Sequence, residues 1–574
     1  MTKLVFSLIL TLIQVDLIFT EKNESKIVET TYGKIQGFEY FLKDGSVAEI
    51  FLGIPFAQPP TEKNRFEKPK ILQKWEGIKK ATAWKPGCIA FYSVVEEKHD
   101  TSEDCLYLNI FAPKSPSPNP DGYPVLVWIH GGGFQHGSAV GHGFEVLSES
   151  FVSKGVIVVS VQYRLGPLGF AAWGDDNFPG NYGLWDLWSA LKFLRRNIQG
   201  FGGDPNRVTL WGESAGAALV SALSISKHTR DMFSQALQNS GSQFAEWANT
   251  NRVIQASEVL GKKLTCDTDD SQKFKDCLKG KTLKEIQVAF IKAGAVRRKD
   301  FNHIKFQPRL DADFFTDDLR NLIAESPKKP TIMGFALEEA LWLTTNPNFD
   351  VGIEAPEIVN FSEEKFVNFI KHLITEVAFP EKHKTVQKKV IDFYLNTNPP
   401  AKKDGLFYFR KYTQLLSDVM FNMPIINEAK IKADNEWKVY LYLASYINKE
   451  IFPKQIPIKK PLHAYEYPYI FNITDIPFGK EFKRNDDDLE FTRILIDTMV
   501  NFIKTGNPST EDIDWRPLTK ENKYKYLELK PFSPEMKQPI MADRIQFWTL
   551  LTKHSEFDLI RGIHKATLRS RDEL

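Results

Sequence analysis

The chain has 574 residues, of which 42% are hydrophobic, 13% aromatic and 25% charged, with a formal net charge of +2 at pH 7. This composition is typical of a soluble globular protein with a large core, and it excludes a disordered or fibrous chain. The nearly balanced charge and the lack of a basic stripe argue against a nucleic-acid partner. Beyond the N-terminus no segment has the ~20 uninterrupted apolar residues of a membrane span.

The first residues carry one lysine and then an apolar run, Leu4–Ile13. This pattern is typical of a signal peptide, and we assign residues 1–20 to it, with cleavage near Thr20. Residues 21–570 are then interpreted as one domain. The last four residues, 571–574, read Arg-Asp-Glu-Leu, one basic-residue swap from the K-D-E-L retention signal. They predict residence in the lumen of the endoplasmic reticulum with a retention-signal receptor as partner; secretion is the alternative.

In chain order, residues 31–57 are predicted to form short antiparallel strands. Six apolar, β-rich runs follow, at Val125–Ile129, Val156–Tyr163, Val208–Trp211, Ala236–Gln238, Thr331–Phe335 and Val439–Tyr446. Continuous rather than alternating apolarity indicates strands buried on both faces of a parallel sheet. Helical patterns between and after them include Leu184–Asn197 and Leu489–Lys504. The sequence predicts an α/β fold: a large, mostly parallel central sheet with helices on both faces and helical insertions around residues 270–430.

The cysteines and glycosylation sequons fit a secretory route. Four cysteines allow three pairings, and the local choice is Cys88 with Cys105 and Cys266 with Cys277. Neither pair has the C-x-x-C spacing of zinc or redox sites. Sequons stand at Asn23, Asn360 and Asn472.

A pentapeptide pattern G-x-S-x-G, Gly212–Gly216, follows the apolar run that ends at Trp211. Between a buried strand and a helix start, this pattern predicts a tight turn that presents the hydroxyl of Ser214 as a nucleophile. Short patterns recur by chance, and the alternative is a helix N-cap serine beside packing glycines.

A glycine-rich loop, His130–Phe134, follows the predicted strand that ends at Ile129. Its backbone amides are expected to bind an oxyanion, as such loops do in serine hydrolases of this architecture. Gly132, Gly133 and Ala215 are the candidate donors. No Gly-Lys-Ser/Thr follows, which excludes a phosphate-binding P-loop.

Further motifs share one order along the chain: Glu103–Asn109 before the glycine-rich loop, then Gly180–Leu184, Phe201–Pro205, Gln238–Ser242 and Lys504–Pro508. In this order the chain resembles the type-B carboxylesterases of the carboxylesterase/cholinesterase family, from about Ile27 to Trp548. The resemblance implies the α/β-hydrolase fold and a serine esterase that needs no cofactor. With the C-terminal tetrapeptide, it also implies an invertebrate gut-type esterase retained in the endoplasmic reticulum.

In this fold a catalytic serine, acid and histidine follow one another along the chain. His463 leads into Ala464-Tyr465-Glu466 and resembles the family's H-G-Y-E histidine, with alanine in place of glycine. The acid is expected after the strand that ends at Phe335, where Glu339 aligns with the family's glutamate and Glu338 is the neighbouring alternative.

The resemblance also assigns two supporting residues. Ser240 matches the serine that bonds the acid, and Glu213 matches the glutamate of the elbow that shapes the pocket floor. By position, Trp247 and Phe134 are the expected aromatic walls of the pocket.

The predicted reaction is hydrolysis of small carboxylic esters through an acyl-enzyme. His130, His136 and His142 recur every six residues, a spacing that does not fit metal ligation, so no metal site is predicted. A cholinesterase is disfavoured because the loop Ile89–Asp104 holds no tryptophan to bind a quaternary ammonium group. A lipase remains open, and an inactive adhesion module of the same fold is the alternative from another class.

Overall fold

The computed structural model describes residues 23–91, 99–266, 268–294, 304–473 and 482–564. The predicted signal peptide, residues 1–20, and the retention-type tetrapeptide, residues 571–574, lie outside the described residues. Within the described ranges no helix has the length and apolarity to span a membrane.

The strands are β1 Glu24–Thr30, β2 Gly33–Phe41, β3 Val47–Pro55, β4 Ile78–Lys80, β5 Gly87–Cys88, β6 Thr101–Ser102, β7 Tyr107–Pro113, β8 Tyr123–Ile129, β9 Ile157–Val161, β10 Gly203–Glu213, β11 Gln235–Asn239, β12 Thr331–Ala336, β13 Val439–Ala444, β14 Tyr526–Leu529, β15 Glu535–Lys537, β16 Phe557–Asp558 and β17 Ile563–His564. One large sheet has the order β1-β2-β3-β7-β9-β8-β10-β11-β12-β13-β14-β15. From β9 to β14 every neighbouring pair is parallel, and the pairs from β1 to β9 are antiparallel. The strand predictions are confirmed for this mostly parallel sheet.

The helices are α1 Glu145–Leu147, α2 Gly166–Phe170, α3 Tyr182–Asn197, α4 Ala215–Ile225, α5 Arg252–Lys263, α6 Ser271–Lys279, α7 Leu283–Lys292, α8 Leu319–Glu325, α9 Leu341–Thr344, α10 Ala355–Ile358, α11 Glu363–Leu373, α12 His383–Ile391, α13 Gly405–Ser417, α14 Met423–Asp434, α15 Tyr467–Ile470, α16 Asp486–Thr505 and α17 Ala542–His554. The helix α16 begins with a capping box at Asn485 and ends at Gly506 in the left-handed conformation. The helices α6 to α14 make up the predicted insertions, with β12 passing between them.

Four of the parallel strands are buried along their whole length because helices cover the sheet. Every residue of β8, β9, β12 and β13 is buried, as continuous apolarity predicts. Because β10, β11 and β12 are parallel neighbours, their carboxyl ends lie at the same edge of the sheet, where residues that follow them can converge. Two disulfides, Cys88–Cys105 and Cys266–Cys277, match the local pairing.

Candidate active site

Ser214 lies on the tight turn between β10 and α4, with φ 56° and ψ −123°. This left-handed backbone is costly for a residue other than glycine and persists only where the surroundings impose it. A Cβ atom at Gly212 would lie 2.3 Å from the backbone of Gly216, and one at Gly216 would lie 2.1 Å from the carbonyl oxygen of Ile129. Both glycines are thus required by the close approach of strand, turn and helix.

His463, on the segment between β13 and α15, joins Ser214 to Glu339. Its Nε2 atom lies 2.8 Å from Ser214 Oγ, and its Nδ1 atom lies 2.7 Å from Glu339 Oε2. The three residues are far apart in sequence and come together because each follows the carboxyl end of a parallel strand. The imidazole can therefore accept the serine proton at Nε2 while the carboxylate fixes the proton at Nδ1.

The second carboxylate oxygen of Glu339 is also hydrogen-bonded. Oε1 accepts hydrogen bonds from Ser240 Oγ at 2.7 Å and from the backbone N–H of Ala336 at 2.6 Å. Glu338, the neighbouring alternative, makes no hydrogen bond or ion pair with the imidazole in the described part of the chain. Burial raises the pKa of Glu338 to about 7, against the nearby positive charge of Arg544. The residue that contacts His463 is therefore Glu339.

Two more carboxyl groups lie close to the imidazole. Glu213 Oε1 is 3.2 Å from His463 Nε2, and Glu466 accepts a hydrogen bond from Asn239 at 2.9 Å. Burial opposes the charged form of His463, but Glu213, Glu339 and Glu466 outweigh it and raise the pKa of the imidazole. Burial also raises the pKa of Glu213 and of Glu466. The sequence analysis assigns no role to Glu466, although its place in the His463–Glu466 motif is a usable signal.

The glycine-rich loop faces the same cavity. Gly132 and Gly133 line it with φ values of 106° and 59°, and a Cβ atom at Gly132 would lie 2.2 Å from the carbonyl oxygen of His136. Ala215 is the first residue of α4, where a backbone N–H has no acceptor within its own helix. These positions suit the binding of a negatively charged oxygen next to Ser214.

A cavity of about 120 Å³ lies next to Ser214 and His463. Its apolar walls are formed by Trp247, Ile304, Trp342, Leu343, Phe349, Met420 and Phe421. Trp247 is where its position predicts. The prediction for Phe134 is wrong: its side chain is fully buried and packs against Trp247 and Phe170, with centroids 6.0 Å and 5.4 Å away.

Two aromatic walls that the sequence did not predict lie against the imidazole. The ring of Phe421 is centred 4.6 Å from that of His463, and the ring of Trp342 lies nearly parallel to it at 6.2 Å. Trp342 stands three residues after Glu339, which is a usable sequence signal. Phe421 comes from the distant helical insertion and carries no such signal.

The three spaced histidines do not form one ligand set. His130 Nδ1 lies 2.9 Å from the carbonyl oxygen of Gly131, and His142 Nδ1 lies 3.1 Å from that of Ser138. Burial lowers the pKa of His130 to about 3 and that of His142 to about 4. In the part of the chain that the structure describes, no group of three His, Cys, Asp or Glu residues could hold a metal ion.

One departure from the family pattern is visible in the backbone. Ala464, where the resemblance expects glycine, adopts φ 59° and lines the cavity. This left-handed conformation is the reason for glycine at such a position. In this chain an alanine adopts that conformation at a cost in backbone strain, directly next to His463.

A sequence profile of the Carboxylesterase family matches residues 24–548. The chain therefore belongs to the carboxylesterase family, and it is a carboxylesterase with the α/β-hydrolase fold. Gut esterase 1 of Caenorhabditis briggsae and that of Caenorhabditis elegans are 36% and 37% identical to it, over 96% of this chain and 97% of theirs. Bile salt-activated lipase of Bos taurus is 32% identical over 88% of this chain and 84% of its own. The two disulfides indicate folding in the oxidising secretory pathway.

Proposed function

We propose that the protein hydrolyses carboxylic esters by two-step acyl transfer, with Ser214 as nucleophile, His463 as general base and Glu339 as the acid that orients it. The observation that carries the proposal is the unbroken hydrogen-bonded series from Ser214 Oγ through His463 to Glu339, at 2.8 Å and 2.7 Å. A serine hydroxyl is a weak nucleophile near pH 7, and a base in direct contact makes it reactive.

In the first step Ser214 Oγ forms a bond to the ester carbonyl carbon while its proton moves to His463 Nε2. Glu339 keeps the remaining imidazole proton on Nδ1 and stabilises the imidazolium. The carbonyl oxygen becomes an oxyanion, which the N–H groups of Gly132, Gly133 and Ala215 bind. One such donor contributes about 3 kcal/mol of transition-state stabilisation in studied hydrolases.

The tetrahedral intermediate then collapses. The bond between the carbonyl carbon and the alcohol oxygen breaks, and the proton on His463 passes to the leaving alcohol. A water molecule attacks the acyl-enzyme by the same route, with His463 again as base, and releases the acid and free Ser214. Each proton taken up by the imidazole is returned, so the residues end the cycle unchanged.

The cavity walls favour esters with neutral, apolar groups. The described lining residues include aromatic and aliphatic side chains but no lysine or arginine. Burying an apolar acyl or alcohol group in this cavity is favourable by about 25 cal/mol per Å² of surface removed from water. An anionic substrate would instead lose its hydration next to the carboxyl group of Glu213, which is unfavourable. We therefore expect short neutral esters to be turned over.

Hydrolysis of a short-chain nitrophenyl ester tests the proposal. We expect turnover by the wild type and a loss of at least about 10⁴-fold in kcat for Ser214→Ala or His463→Gln, because the residues of such a triad act as a unit. Ser224→Ala and His372→Gln are the matched controls: Ser224 bonds only its own helix, at Val220, and His372 is exposed. A wild type that does not turn over the ester would favour the adhesion module over the enzyme.

We further propose that the enzyme resides in the lumen of the endoplasmic reticulum, through a signal peptide at residues 1–20 and the tetrapeptide Arg571–Leu574. The sequons Asn23, Asn360 and Asn472 support passage through this compartment, since all three asparagines are exposed. Deleting residues 571–574 should release the esterase from expressing cells into the medium. Equal retention of the full-length and shortened chains would contradict the retention signal.

A further inference from the structure

A buried charged cluster, away from the substrate cavity, contacts elements that carry the reacting residues. We call it the Glu428 cluster; it comprises Ser221, Gln238, Ser242, Glu428 and Lys432. All five are buried, with at most 1% of any residue exposed. Lys432 Nζ lies 2.7 Å from Glu428 Oε1, one turn away on α14, and donates to Gln238 Oε1 at 2.6 Å.

The carboxylate of Glu428 is bonded from two further directions. Its Oε1 accepts from Ser221 Oγ at 2.7 Å, and its Oε2 accepts from Ser242 Oγ at 2.5 Å. Ser221 belongs to α4, the helix that begins directly after Ser214. Ser242 follows Ser240 by two residues on the loop after β11. One carboxylate thus links the helix of the nucleophile to the loop of the residue that bonds Glu339.

The contacts form a closed circuit. From Ser214 it follows the backbone of α4 to Ser221, whose hydroxyl bonds Glu428, and Glu428 in turn bonds Ser242. The backbone then leads from Ser242 to Ser240, and hydrogen bonds lead from Ser240 to Glu339, from Glu339 to His463, and from His463 to Ser214 Oγ. Gly241 leaves little freedom within it, because a Cβ atom there would lie 2.0 Å from the carbonyl oxygen of Ser214. A displacement of α4 relative to the loop would therefore change the Ser214–His463 distance.

Packing alone does not account for such a cluster. A buried ion pair is often no more stabilising than apolar side chains of the same volume, because both charges lose their hydration. What fully satisfied buried polar groups provide is a fixed geometry, since each hydrogen bond has a preferred length and direction. Burial would raise the pKa of Glu428, but Lys432 and the two serine hydroxyls lower it, so the carboxylate remains an acceptor for both serines.

We propose that Glu428 is a positioning residue of the esterase: it fixes α4 against the Ser240 loop and so holds Ser214 and Glu339 at reacting distance from His463. The inference rests on the proposed function. It predicts that cutting either serine contact lowers the rate of the chemical step without weakening substrate binding.

The test uses Ser221→Ala, Ser242→Ala and the double variant. Replacing Glu428 itself would leave the Lys432 charge buried and unpaired, which endangers folding. Ser221→Ala removes only the bond to Glu428, whereas Ser242→Ala also removes a longer bond to the carbonyl oxygen of Pro424 and one from the N–H of Phe244. Ser224→Ala is the matched control, because Ser224 is also buried on α4 but bonds only the backbone of its own helix. The measurements are kcat and KM for a nitrophenyl ester, well below the lowest melting temperature.

We expect each single variant to lose about tenfold in kcat with KM within about twofold of wild type, since small misplacements of reacting groups cost up to roughly 100-fold. The double variant should lose no more than the worse single variant, because either change opens the same circuit. Ser224→Ala should keep the wild-type kcat.

Three results would overturn the inference: single variants with lower melting temperatures but wild-type kcat, losses of kcat that multiply in the double variant, or losses confined to KM. The first would make the cluster purely structural, the second would mean that the two serines affect the rate independently, and the third would assign the cluster to substrate binding. If the wild type itself shows no turnover, the proposed function falls as well; if it turns over esters and the single variants match it, only the positioning role is lost.

Discussion

At the scale of single residues, the charges around His463 set the pH range in which it can serve as the proposed base. The imidazole must be neutral to accept the serine proton, yet Glu213, Glu339 and Glu466 raise its pKa. Activity should therefore increase as the pH rises through that pKa and the imidazole loses its proton. Glu213 has a direct part in this, since its carboxyl oxygen lies 3.2 Å from Nε2.

Glu213→Gln keeps the shape of this side chain and removes its charge. Without the carboxylate the imidazolium is less stable, so the pKa of His463 falls and the acid limb of the kcat/KM profile should move to lower pH, by about one unit. The control is Glu258→Gln, an exposed position on α5. A midpoint that stays in place, or moves to higher pH, would contradict the electrostatic coupling of Glu213 to the base.

At the scale of elements, the close approach of β8, β10 and α4 sets the position of Ser214. Gly216→Ala would place a methyl group 2.1 Å from the carbonyl oxygen of Ile129 at the end of β8. We expect it to lower the free energy of unfolding by about 2 kcal/mol and to reduce kcat sharply, because α4 must move and Ser214 moves with it. Chemical denaturation and ester hydrolysis measure the two effects.

Gly141→Ala provides the control for this substitution. A Cβ atom at Gly141 would meet nothing within 4 Å, so stability and rate should both stay near the wild-type values. Equal effects of Gly141→Ala and Gly216→Ala would show that the strand–helix contact does not limit the position of Ser214.

Elements differ in how well their sequences reveal them. The interior strands β8, β9, β12 and β13 were predictable because burial on both faces demands continuous apolarity. The sequence does not predict the strand Tyr107–Pro113 or the short strand Tyr526–Leu529, which lies next to the last strand of the sheet. Short segments are hard to tell from loops by pattern alone, and their strand state depends on the neighbours with which they pair.

The residues of the site also differ in how well the sequence predicts them. Ser214, His463, Glu339, Ser240 and the glycine-rich loop stand in local motifs, because the chemistry requires particular residue types next to particular turns. Phe421 reaches the cavity, and Glu428 reaches the helix and loop behind it, only through tertiary packing of the insertions, and no local pattern marks either residue. The prediction that Phe134 lines the pocket is wrong for a related reason: its position in the motif is local, but packing in the core determines where its ring lies.

At the scale of the whole molecule, a single sheet includes strands from β1 to β15. The buried hydrophobic residues of the described chain form one cluster, from Val28 to Ile560. The insertions α9 to α14 contribute to that cluster and to the cavity wall. We therefore expect residues 21–570 to unfold as one unit, with a single heat-absorption peak in calorimetry of the intact protein. Two resolved peaks, with residues 341–434 melting separately, would contradict the single-domain interpretation.

Labelling with an organophosphate tests the central claim most directly, because the reagent bonds readily to a serine that its neighbours activate. Peptide mass spectrometry of the labelled protein should place one phosphoryl group on Ser214, and His463→Gln should abolish the labelling. A wild-type protein that stays unlabelled, or that carries the group on another serine, would contradict the account.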